Sequence, residues 1–507
     1  MSDYSDIAVG KSGFIAEHGL WTSEQAAAAE DLAGRVQSLG LNTIRVTFPD
    51  QHGIVRGKWL STRSFLSSLR NGMDFASAHF CWDTGQSIVY NPFVAGGGFG
   101  RDDMSGFPDA ALVPDPTTFR VVPWAPGSGW ILCDMYYSNG DPVPFAPRHV
   151  LRQTLDKLDQ RGLSLLAGLE VEWYLTKIED PMLGSDHLGV PGDPPTPPVV
   201  SAVSHGYQYQ LENHLDDVEP ILSLVANHLN AAGLPLRSME DEWGPGQMEF
   251  TFDPMGGMET ADAMIFFRMA TKQICRREGY LATFMCQPSI PRFFGSGWHL
   301  HQSLLDSETG ENRFVSAGGD QPLSDLAMNY IGGLLEHAPA SCVFSTPTIN
   351  GYRRVKPFSL APDRATWGID NRAAMIRVQG SPGDPGSHIE NRVGDPAATP
   401  YLYIASQVVA GLDGMDRQLD PGEASDQPYF ETERTPLPTS LKDAVAALKD
   451  DPLFADNFGA EFVNFIITLK ESEIGRYEKF LEDNEITAEQ AAEAPTAWEQ
   501  QEYFELF

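Results

Sequence analysis

The chain has 507 residues, 42% of them hydrophobic, and a formal net charge of −34, because 69 acidic residues outnumber 35 Lys and Arg. The length predicts two to four globular domains at about 100–200 residues each. The charge disfavours nucleic acid and anionic membranes as partners, and the sequence has no run of about 18 apolar residues that would span a membrane.

The N-terminal residues and the cysteines bear on cellular location. The opening MSDYSDIAVGKSG has neither the basic start nor the apolar stretch of a secretory signal. The five cysteines are scattered without Cys-x-x-Cys spacing, which indicates reduced thiols. We therefore expect a cytoplasmic protein.

The first 140 residues are predicted to form a small α+β domain. Residues 43–48 and 54–60 alternate as two strands around a turn at 49–53, which is typical of a β-hairpin. The other expected elements are a helix at 24–39 that ends at Gly40, a Gly-rich loop at 91–108, and strands at 119–123 and 130–134. Because the Pro-rich residues 141–147 are typical of a linker, we place the second domain at 141–507.

The second domain is predicted to combine helices with strands. The predicted helices cover 148–160, 219–229, 259–280, 322–337, 402–418, 440–449 and 458–482. The predicted strands cover 164–175, 247–252 and 297–304, with a Pro/Gly-rich surface insertion at 180–206 and a mixed loop and strand segment at 346–378.

Each of these three strands carries polar side chains on one face, because side chains alternate along a strand. The polar faces hold Glu170, Glu172 and Tyr174, then Gln247, Glu249 and Thr251, then His299, His301 and Ser303. An Arg-rich segment follows, with Arg353, Arg354, Arg364, Arg372 and Arg377, and then Arg392. A pair of hydrogen-bonded core histidines would explain the third strand as readily as a metal site would.

Taken together, the carboxylates, imidazoles and guanidinium groups favour phosphate chemistry. Clustered Glu with His suits hard divalent ions such as Mg²⁺ or Mn²⁺, and neighbouring carboxylates repel one another unless cations lie between them. Arginine suits phosphate and carboxylate groups. Metal ions with arginine are typical of phosphoryl transfer, although neither a P-loop nor a kinase signature occurs. A β-rich core with surface Glu–Arg pairs stays open as the alternative.

Six segments, in this order along the chain, match motifs of one enzyme family. They are Gly168-Leu-Glu-Val-Glu172-Trp, Glu242-Trp-Gly-Pro-Gly-Gln-Met-Glu249, Gly295-Ser-Gly-Trp-His-Leu-His-Gln-Ser303, Asn350-Gly-Tyr-Arg-Arg354, Asn371-Arg-Ala-Ala-Met-Ile-Arg377 and Glu390-Asn-Arg-Val-Gly-Asp-Pro396. On these motifs the chain resembles the glutamine synthetase family over nearly its whole length.

The resemblance implies a fold and an assembly. The family has an N-terminal β-grasp domain and a larger catalytic domain, whose curved antiparallel sheet forms a funnel flanked by helices. Its subunits form hexameric rings, commonly two stacked into a dodecamer, with sites at subunit contacts. By position, Asp50 would reach into the neighbouring subunit's site and help to deprotonate the incoming amine.

The resemblance also implies ligands and the residues that bind them. The ligands are L-glutamate, ATP, a small amine, and two or three Mg²⁺ or Mn²⁺ ions per site. Glu172, Glu242 and Glu249 would hold one metal ion, and Glu170, His299 and Glu390 a second that faces the ATP phosphates. Gly295, Arg354 and Arg392 would bind glutamate; His301, Ser303, Arg372 and Arg377 would lie toward the nucleotide and its phosphates. Asp50, Arg372 and Glu390 would be catalytic.

The chain departs from the family where the amine would bind. Leu360 occupies the position of a flap Glu that closes the site and helps to bind ammonium. Phe294 and Trp298 replace the usual Asn and Met, and Phe358 adds apolar surface to the flap, so these four residues are the predicted acceptor pocket. An ammonium ion needs carboxylates, whereas an alkyl- or arylamine gains about 25 cal/mol per Å² of apolar surface buried. We therefore predict a ligase that joins the γ-carboxylate of glutamate to an organic amine through a γ-glutamyl phosphate.

Two alternatives stay open at this point. One is an ordinary glutamine synthetase that uses ammonia. The other is an inactive relative with a regulatory or binding role, which the six filled metal-ligand positions disfavour. Tyr429, near where some bacterial members are adenylylated, is interpreted as an ordinary loop tyrosine.

Overall fold

The computed structural model describes residues 11–96, 101, 104–318 and 321–507. Its backbone forms two compact units. The first comprises the described residues of Met1–Trp82, Ile88–Val150 and Ala226–Leu234, and the second those of Asp83–Ser87, Leu151–Val225 and Pro235–Phe507. The division into domains 1–140 and 141–507 stays a prediction, because compact packing alone does not define a domain. Part of the predicted loop 91–108 lies outside the described residues.

The first unit is built on a sheet with strand order β2-β1-β6-β4-β3, with β5 paired to β6. The strands are β1 Thr43–Pro49, β2 Val55–Ser61, β3 Met73–Ala76, β4 Asp109–Pro114, β5 Arg120–Val121 and β6 Ser128–Tyr136. The helices are α1 Phe14–His18, α2 Ser23–Ser38 and α3 Thr62–Asn71. The hairpin of β1 and β2 is confirmed. The elements α1, α3, β3 and β4 were not predicted from the sequence.

The N-terminal end of α2 follows directly from the sequence. Thr22 accepts a hydrogen bond from the backbone N–H of Gln25 at 3.2 Å, and the Gln25 side chain accepts one from the Thr22 N–H at 3.0 Å. This reciprocal pair is a capping box, which satisfies two backbone donors that the helix itself leaves free.

The second unit has a ten-stranded sheet whose main path is β14-β15-β16-β13-β7-β10-β9, and β8, β11 and β12 also pair with β7. The strands are β7 Leu163–Asp180, β8 Val199–Ala202, β9 Leu236–Asp241, β10 Gln247–Phe252, β11 Met255–Gly256, β12 Tyr280–Thr283, β13 Trp298–Asp306, β14 Trp367–Ile369, β15 Ile376–Gln379 and β16 His388–Asn391. The predicted surface insertion 180–206 thus contains β8.

Eleven further helices are described. They are α4 Pro147–Asp159, α5 Glu212–Ala231, α6 Gly257–Arg277, α7 Asp325–Glu336, α8 Ala338–Ser345, α9 Pro400–Arg417, α10 Leu441–Asp450, α11 Pro452–Phe458, α12 Ala460–Asp483, α13 Ala488–Glu493 and α14 Ala497–Tyr503. All seven predicted helices of this part of the chain have counterparts here. This curled sheet with helices confirms the predicted α+β fold class.

Apolar side chains hold the sheet against its helices. Trp173 of β7 is fully buried, and its ring lies 5.4 Å from Phe250 of β10 and 6.0 Å from Phe284. Phe267 of α6 packs on the same cluster, 5.6 Å from Phe250. Since neighbouring side chains on β7 point to opposite faces, this packing leaves Glu170 and Glu172 facing away from the helices.

No helix of the described residues is both long and apolar enough to cross a membrane. All five cysteines are buried and unpaired.

Candidate active site

Strand register brings the polar side chains of the central strands together. The facing pairs are Glu172 with Glu249, Glu170 with His299, His301 with Glu390, and Glu390 with Arg377. Directly facing residues on paired strands have Cβ atoms about 4.5–5.5 Å apart. Residues from β7, β10, β13, β15 and β16 therefore converge on one face of the sheet.

Glu170 lies at the centre of this cluster. Its Oε1 is 2.6 Å from His299 Nδ1, and its Oε2 is 3.0 Å from His301 Nε2. Glu390 Oε1 lies 3.6 Å from His299 Nδ1. The Nδ1 atom of His299 therefore lies close to the carboxylates of both Glu170 and Glu390.

Two groups of three side chains have ligand atoms within 4.8 Å of one another among the described residues. One is Glu170, His301 and Glu390, and the other is Glu170, Glu249 and His299. Glu170 belongs to both groups. The trio Glu172, Glu242 and Glu249, expected to hold one metal ion, is not one of these groups within the described part of the chain.

Among the carboxyl groups of the cluster, the pKa values of two are raised and that of a third is lowered. Burial, with Glu170 and Glu172 nearby, raises the pKa of Glu249 to about 10. Burial and the Glu172 carboxylate raise the pKa of Glu242 to about 8. Burial also opposes ionisation of Glu170, but hydrogen bonds from His299 and His301 outweigh it and lower the Glu170 pKa. Because carboxylates with imidazole are a donor set for hard divalent cations, these residues fit Mg²⁺ or Mn²⁺.

These pKa shifts predict how the metal-free protein responds to pH. The folded-state pKa of Glu249 lies above its ordinary value of 4.5, so between those values Glu249 keeps a proton in the folded protein that it loses in the unfolded chain. The contribution of Glu249 to the free energy of unfolding therefore falls as the pH rises through this window. We expect the Glu249→Gln variant to melt a few degrees higher than wild type at pH 8 in EDTA.

The same variant should lose stabilisation by metal. Mn²⁺ should raise the melting temperature of the wild type, and more strongly at high pH because the ligands must be deprotonated. Glu249→Gln should show little increase. Scanning calorimetry with and without Mn²⁺ measures both effects. Equal stabilisation of the two proteins by Mn²⁺ would show that Glu249 does not bind the metal ion.

Gln247 was not singled out as a site residue from the sequence. Its Nε2 donates to Glu172 Oε2 at 3.0 Å, and its Oε1 accepts from the Gly244 N–H at 2.9 Å. The Gly297 N–H also donates to Glu172 Oε2 at 3.0 Å. Gln247 thus fixes the orientation of Glu172. Its place on the same strand face as Glu249 was the available signal.

The predicted glutamate and phosphate arginines divide into groups. Arg377 donates to Glu390 Oε2 at 2.9 Å, and Arg392 donates to Glu390 Oε1. The Arg354 guanidinium donates to the backbone carbonyls of residues 392–394, and Arg372 is exposed. Arg353 and Arg364, the other two arginines of the Arg-rich segment, pair with acidic residues outside the cluster. Arg353 pairs with Glu499 at 2.7 Å and Arg364 with Asp363 at 2.8 Å.

Two glycines allow Arg354 to approach strand β13. A Cβ at Gly295 would lie 2.6 Å from Arg354 Cβ, and one at Gly297 would lie 2.6 Å from Arg354 Nη2. Side chains at these positions would displace Arg354. Ser303, farther along the polar face of β13, is buried.

Asp50 lies in the first unit and is fully buried. Its Oδ1 accepts hydrogen bonds from the backbone N–H groups of His52 and Ile54 at 2.9 Å each. Arg56 Nε donates to Oδ2 at 2.6 Å. These bonds close the turn between β1 and β2. A role for Asp50 in a neighbouring subunit stays a prediction.

The predicted acceptor residues are not all brought to one place. Phe294, Phe358 and Leu360 are exposed. Trp298 is fully buried, with its ring 4.9 Å from that of Tyr403 on α9. Strand alternation points Trp298 away from His299. Its position therefore does not support the prediction that Trp298 lines the acceptor pocket.

The flap around residues 355–362 has an unusual backbone and aromatic contacts. Phe358 and Leu360 have φ values of 65° and 60°, in the left-handed region that side chains other than glycine rarely adopt. The Phe358 ring lies 5.2 Å from Tyr429 and 5.7 Å from Phe430. The Tyr429 hydroxyl donates to the Ala361 carbonyl at 3.0 Å. Tyr429 thus anchors the flap, which the sequence did not indicate.

Comparison with known proteins identifies the family. Residues 144–489 match the model of the glutamine synthetase catalytic domain. The chain belongs to the glutamine synthetase family. The match confirms the resemblance drawn from the six motifs. Ligases of this family use ATP and a divalent metal ion.

The chain is similar to two curated relatives and to a solved structure. The chain is 46% identical to a gamma-glutamylanilide synthase from Acinetobacter sp, over 98% of this chain and 99% of the relative. It is 29% identical to a glutamate–isopropylamine ligase from Pseudomonas sp, over 89% and 95%. Among solved structures it is similar to a GmaS/ADP complex, with a TM-score of 0.74 and 28% identity over 89% of this chain and 96% of that one.

Proposed function

We propose that this glutamine synthetase family member is an ATP-dependent ligase that joins the γ-carboxylate of L-glutamate to an organic amine, either an alkyl- or an arylamine. The observation that carries the proposal is the 46% identity, over nearly the full length of both chains, to a gamma-glutamylanilide synthase. The apolar flap supports an organic acceptor independently, because Leu360 stands where the family has a carboxylate for ammonium.

The converging carboxylates and imidazoles would hold two or three Mg²⁺ or Mn²⁺ ions. We assign Glu172, Glu242 and Glu249 to one ion and Glu170, His299 and Glu390 to another. The bound ions supply Lewis-acid stabilisation of the phosphate charge. His301 lies within the same cluster, at 3.0 Å from Glu170, so it is a further candidate ligand as well as a nucleotide contact with Ser303.

The arginines would neutralise substrate charge. Arg354, Arg392 and the backbone at Gly295 would hold the carboxylates of glutamate, and Arg372 and Arg377 the phosphates of ATP. Arg354 and Arg392 currently donate to protein acceptors. Substrate carboxylates would therefore exchange for these partners when glutamate binds.

The reaction would proceed in two steps. The γ-carboxylate of glutamate attacks the γ-phosphorus of ATP, and ADP leaves while the arginines stabilise the developing charge. The neutral amine then attacks the acyl carbon of γ-glutamyl phosphate, phosphate leaves, and the ammonium-type nitrogen loses a proton to a carboxylate base. The flap would exclude water, because hydrolysis of the acyl phosphate competes with amide formation.

The assembly would be a hexameric ring, or two stacked rings. In this arrangement Asp50 would approach the site of the neighbouring subunit and help to deprotonate the amine. Its burial in its own hairpin turn means that the turn would have to rearrange, or that Asp50 acts by holding Arg56 in place. Light scattering coupled to gel filtration measures the number of subunits.

Oxygen transfer from glutamate to phosphate tests the proposed intermediate. Glutamate labelled with ¹⁸O in its γ-carboxylate should yield one labelled oxygen in each phosphate released with the amide, because the bridging oxygen of the acyl phosphate leaves with phosphorus. Mass spectrometry of phosphate and of the γ-glutamyl amide measures this. Unlabelled phosphate alongside amide would contradict the mechanism, and a reaction without amine is the control for hydrolysis.

A further inference from the structure

A stacked aromatic pair beside the carboxylate cluster lies outside the predicted site residues. Trp243 and Tyr209 are 46% and 47% exposed. Their ring centroids are 5.3 Å apart and their planes differ by 14°. Half-exposed, nearly parallel rings present a flat apolar surface that the chain itself leaves partly uncovered.

The backbone holds this aromatic pair in place. The Tyr207 N–H donates to the Trp243 carbonyl at 3.0 Å, and the Gln210 N–H donates to the Asp241 carbonyl at 3.1 Å. At Gly206, with φ 63°, a Cβ would lie 2.8 Å from the Pro245 nitrogen and 3.0 Å from the Trp243 carbonyl. This close approach needs glycine. The two segments that carry the rings are thus tied together.

The pair lies next to the carboxylates. The backbone N–H of Trp243 donates to Glu242 Oε2 at 3.3 Å, and Trp243 directly follows this proposed metal ligand in the chain. Burial raises the pKa of the Tyr209 phenol to about 12, with contributions from Glu242 and Glu249, while Arg372 opposes the shift. The phenol therefore lies within electrostatic reach of the carboxylates and of a proposed phosphate contact.

We propose that the exposed faces of Trp243 and Tyr209 bind the aromatic ring of an arylamine acceptor, and that this pair selects arylamines over ammonia and small alkylamines. The inference rests on the proposed ligase function and names its substrate class. Offset stacking of aromatic rings stabilises binding beyond the apolar area that is buried. A ring on this surface would place its amino nitrogen near the carboxylate cluster, where the acyl phosphate forms.

The charge of an arylamine agrees with the rest of the site. Its nitrogen lone pair is delocalised into the ring, so the molecule is neutral at pH 7, unlike ammonium or an alkylammonium ion. A neutral acceptor needs no carboxylate in the flap, and Leu360 stands at that position. One acceptor class thus accounts for both the apolar flap and the exposed aromatic pair.

A comparison of kcat/KM for different acceptors tests the role of Trp243 and Tyr209. In Trp243→Ala, kcat/KM for aniline should fall about tenfold, while the values for ammonium and isopropylamine should change less than about twofold. Trp243→Phe, which keeps a ring, should retain most of the aniline activity. Tyr209→Leu, a second variant, should also lower kcat/KM for aniline. Tyr207→Ala, on the same segment, is the control and should leave this value nearly unchanged. The KM values for ATP and glutamate should stay unchanged.

Several outcomes would overturn the inference. An equal loss for all three acceptors would make Trp243 a positioning residue for Glu242. Dissociation of the assembly in both Trp243→Ala and Tyr209→Leu, seen by gel filtration, would make the pair a contact between subunits. A wild-type protein that uses isopropylamine but not aniline would refute the arylamine class and leave the proposed function intact. If the wild-type protein formed an amide with none of the amines, the proposed function itself would be refuted.

Discussion

Replacing Glu170 by Ala is expected to lower kcat for ATP-dependent amide formation by about 10³-fold. Glu170 belongs to both groups of side chains that could hold a metal ion, and it contacts His299 and His301 at 2.6 and 3.0 Å. Its loss removes a carboxylate from both groups and leaves both imidazoles without their shared partner. Phosphate release with ATP, glutamate and saturating amine measures the effect.

The matched control for this variant lies on the same strand. Glu179 is exposed near the end of β7, where it accepts a hydrogen bond from Ser201. Glu179→Ala makes the same chemical change without touching the cluster and should keep nearly full activity. Mn²⁺ binding measured by titration calorimetry should weaken in Glu170→Ala alone. Near wild-type turnover in Glu170→Ala would refute the metal assignment.

Replacing Leu360 by Glu is expected to shift the acceptor preference toward ammonium by about tenfold or more. A carboxylate about 4 Å from a cation contributes up to about 4 kcal/mol at an effective dielectric constant near 20, and partial exposure of residue 360 reduces this. The same carboxylate should disfavour an apolar acceptor that must be buried against it. The ratio of kcat/KM for ammonium to that for aniline measures the shift.

Leu360→Gln separates charge from shape. It has the size and backbone demands of Leu360→Glu without the negative charge, and residue 360 keeps a φ of 60° in either case. The Gln variant should lose some activity with aniline but gain little with ammonium. Equal ratios in the Glu and Gln variants would show that residue 360 does not face the acceptor nitrogen.

Strand periodicity explains why much of the cluster could be predicted. Alternation placed Glu170 and Glu172 together on β7 and His299 and His301 together on β13, and the register of the sheet then brought these faces side by side. Alternation also placed Trp298 on the opposite face, which the structure bears out. Its inclusion in the acceptor pocket came from matching positions within the family.

Other features depend on contacts between distant segments, which periodicity does not reveal. Gln247 acts through Glu172, 75 residues away in the chain, and Tyr429 reaches Ala361 across 68 residues. The short strand β3 pairs with β4, and β4 pairs with β6 on its other side. The Tyr209–Trp243 stack depends on a close backbone approach at Gly206. Arg353 of the Arg-rich segment pairs with Glu499, 146 residues away in the chain, which strand periodicity does not reveal either.

The most direct test of the organic-amine acceptor is a side-by-side comparison of acceptors. Purified protein with ATP, Mg²⁺ and glutamate is given ammonium, methylamine, isopropylamine, putrescine, ethanolamine or aniline, and kcat/KM is determined from phosphate release and amide formation. We predict that an organic monoamine gives the largest value, with aniline foremost, and that ammonium is poor. Saturation with ammonium at low millimolar concentration, with little amide from any organic amine, would instead identify a glutamine synthetase with an unusual flap.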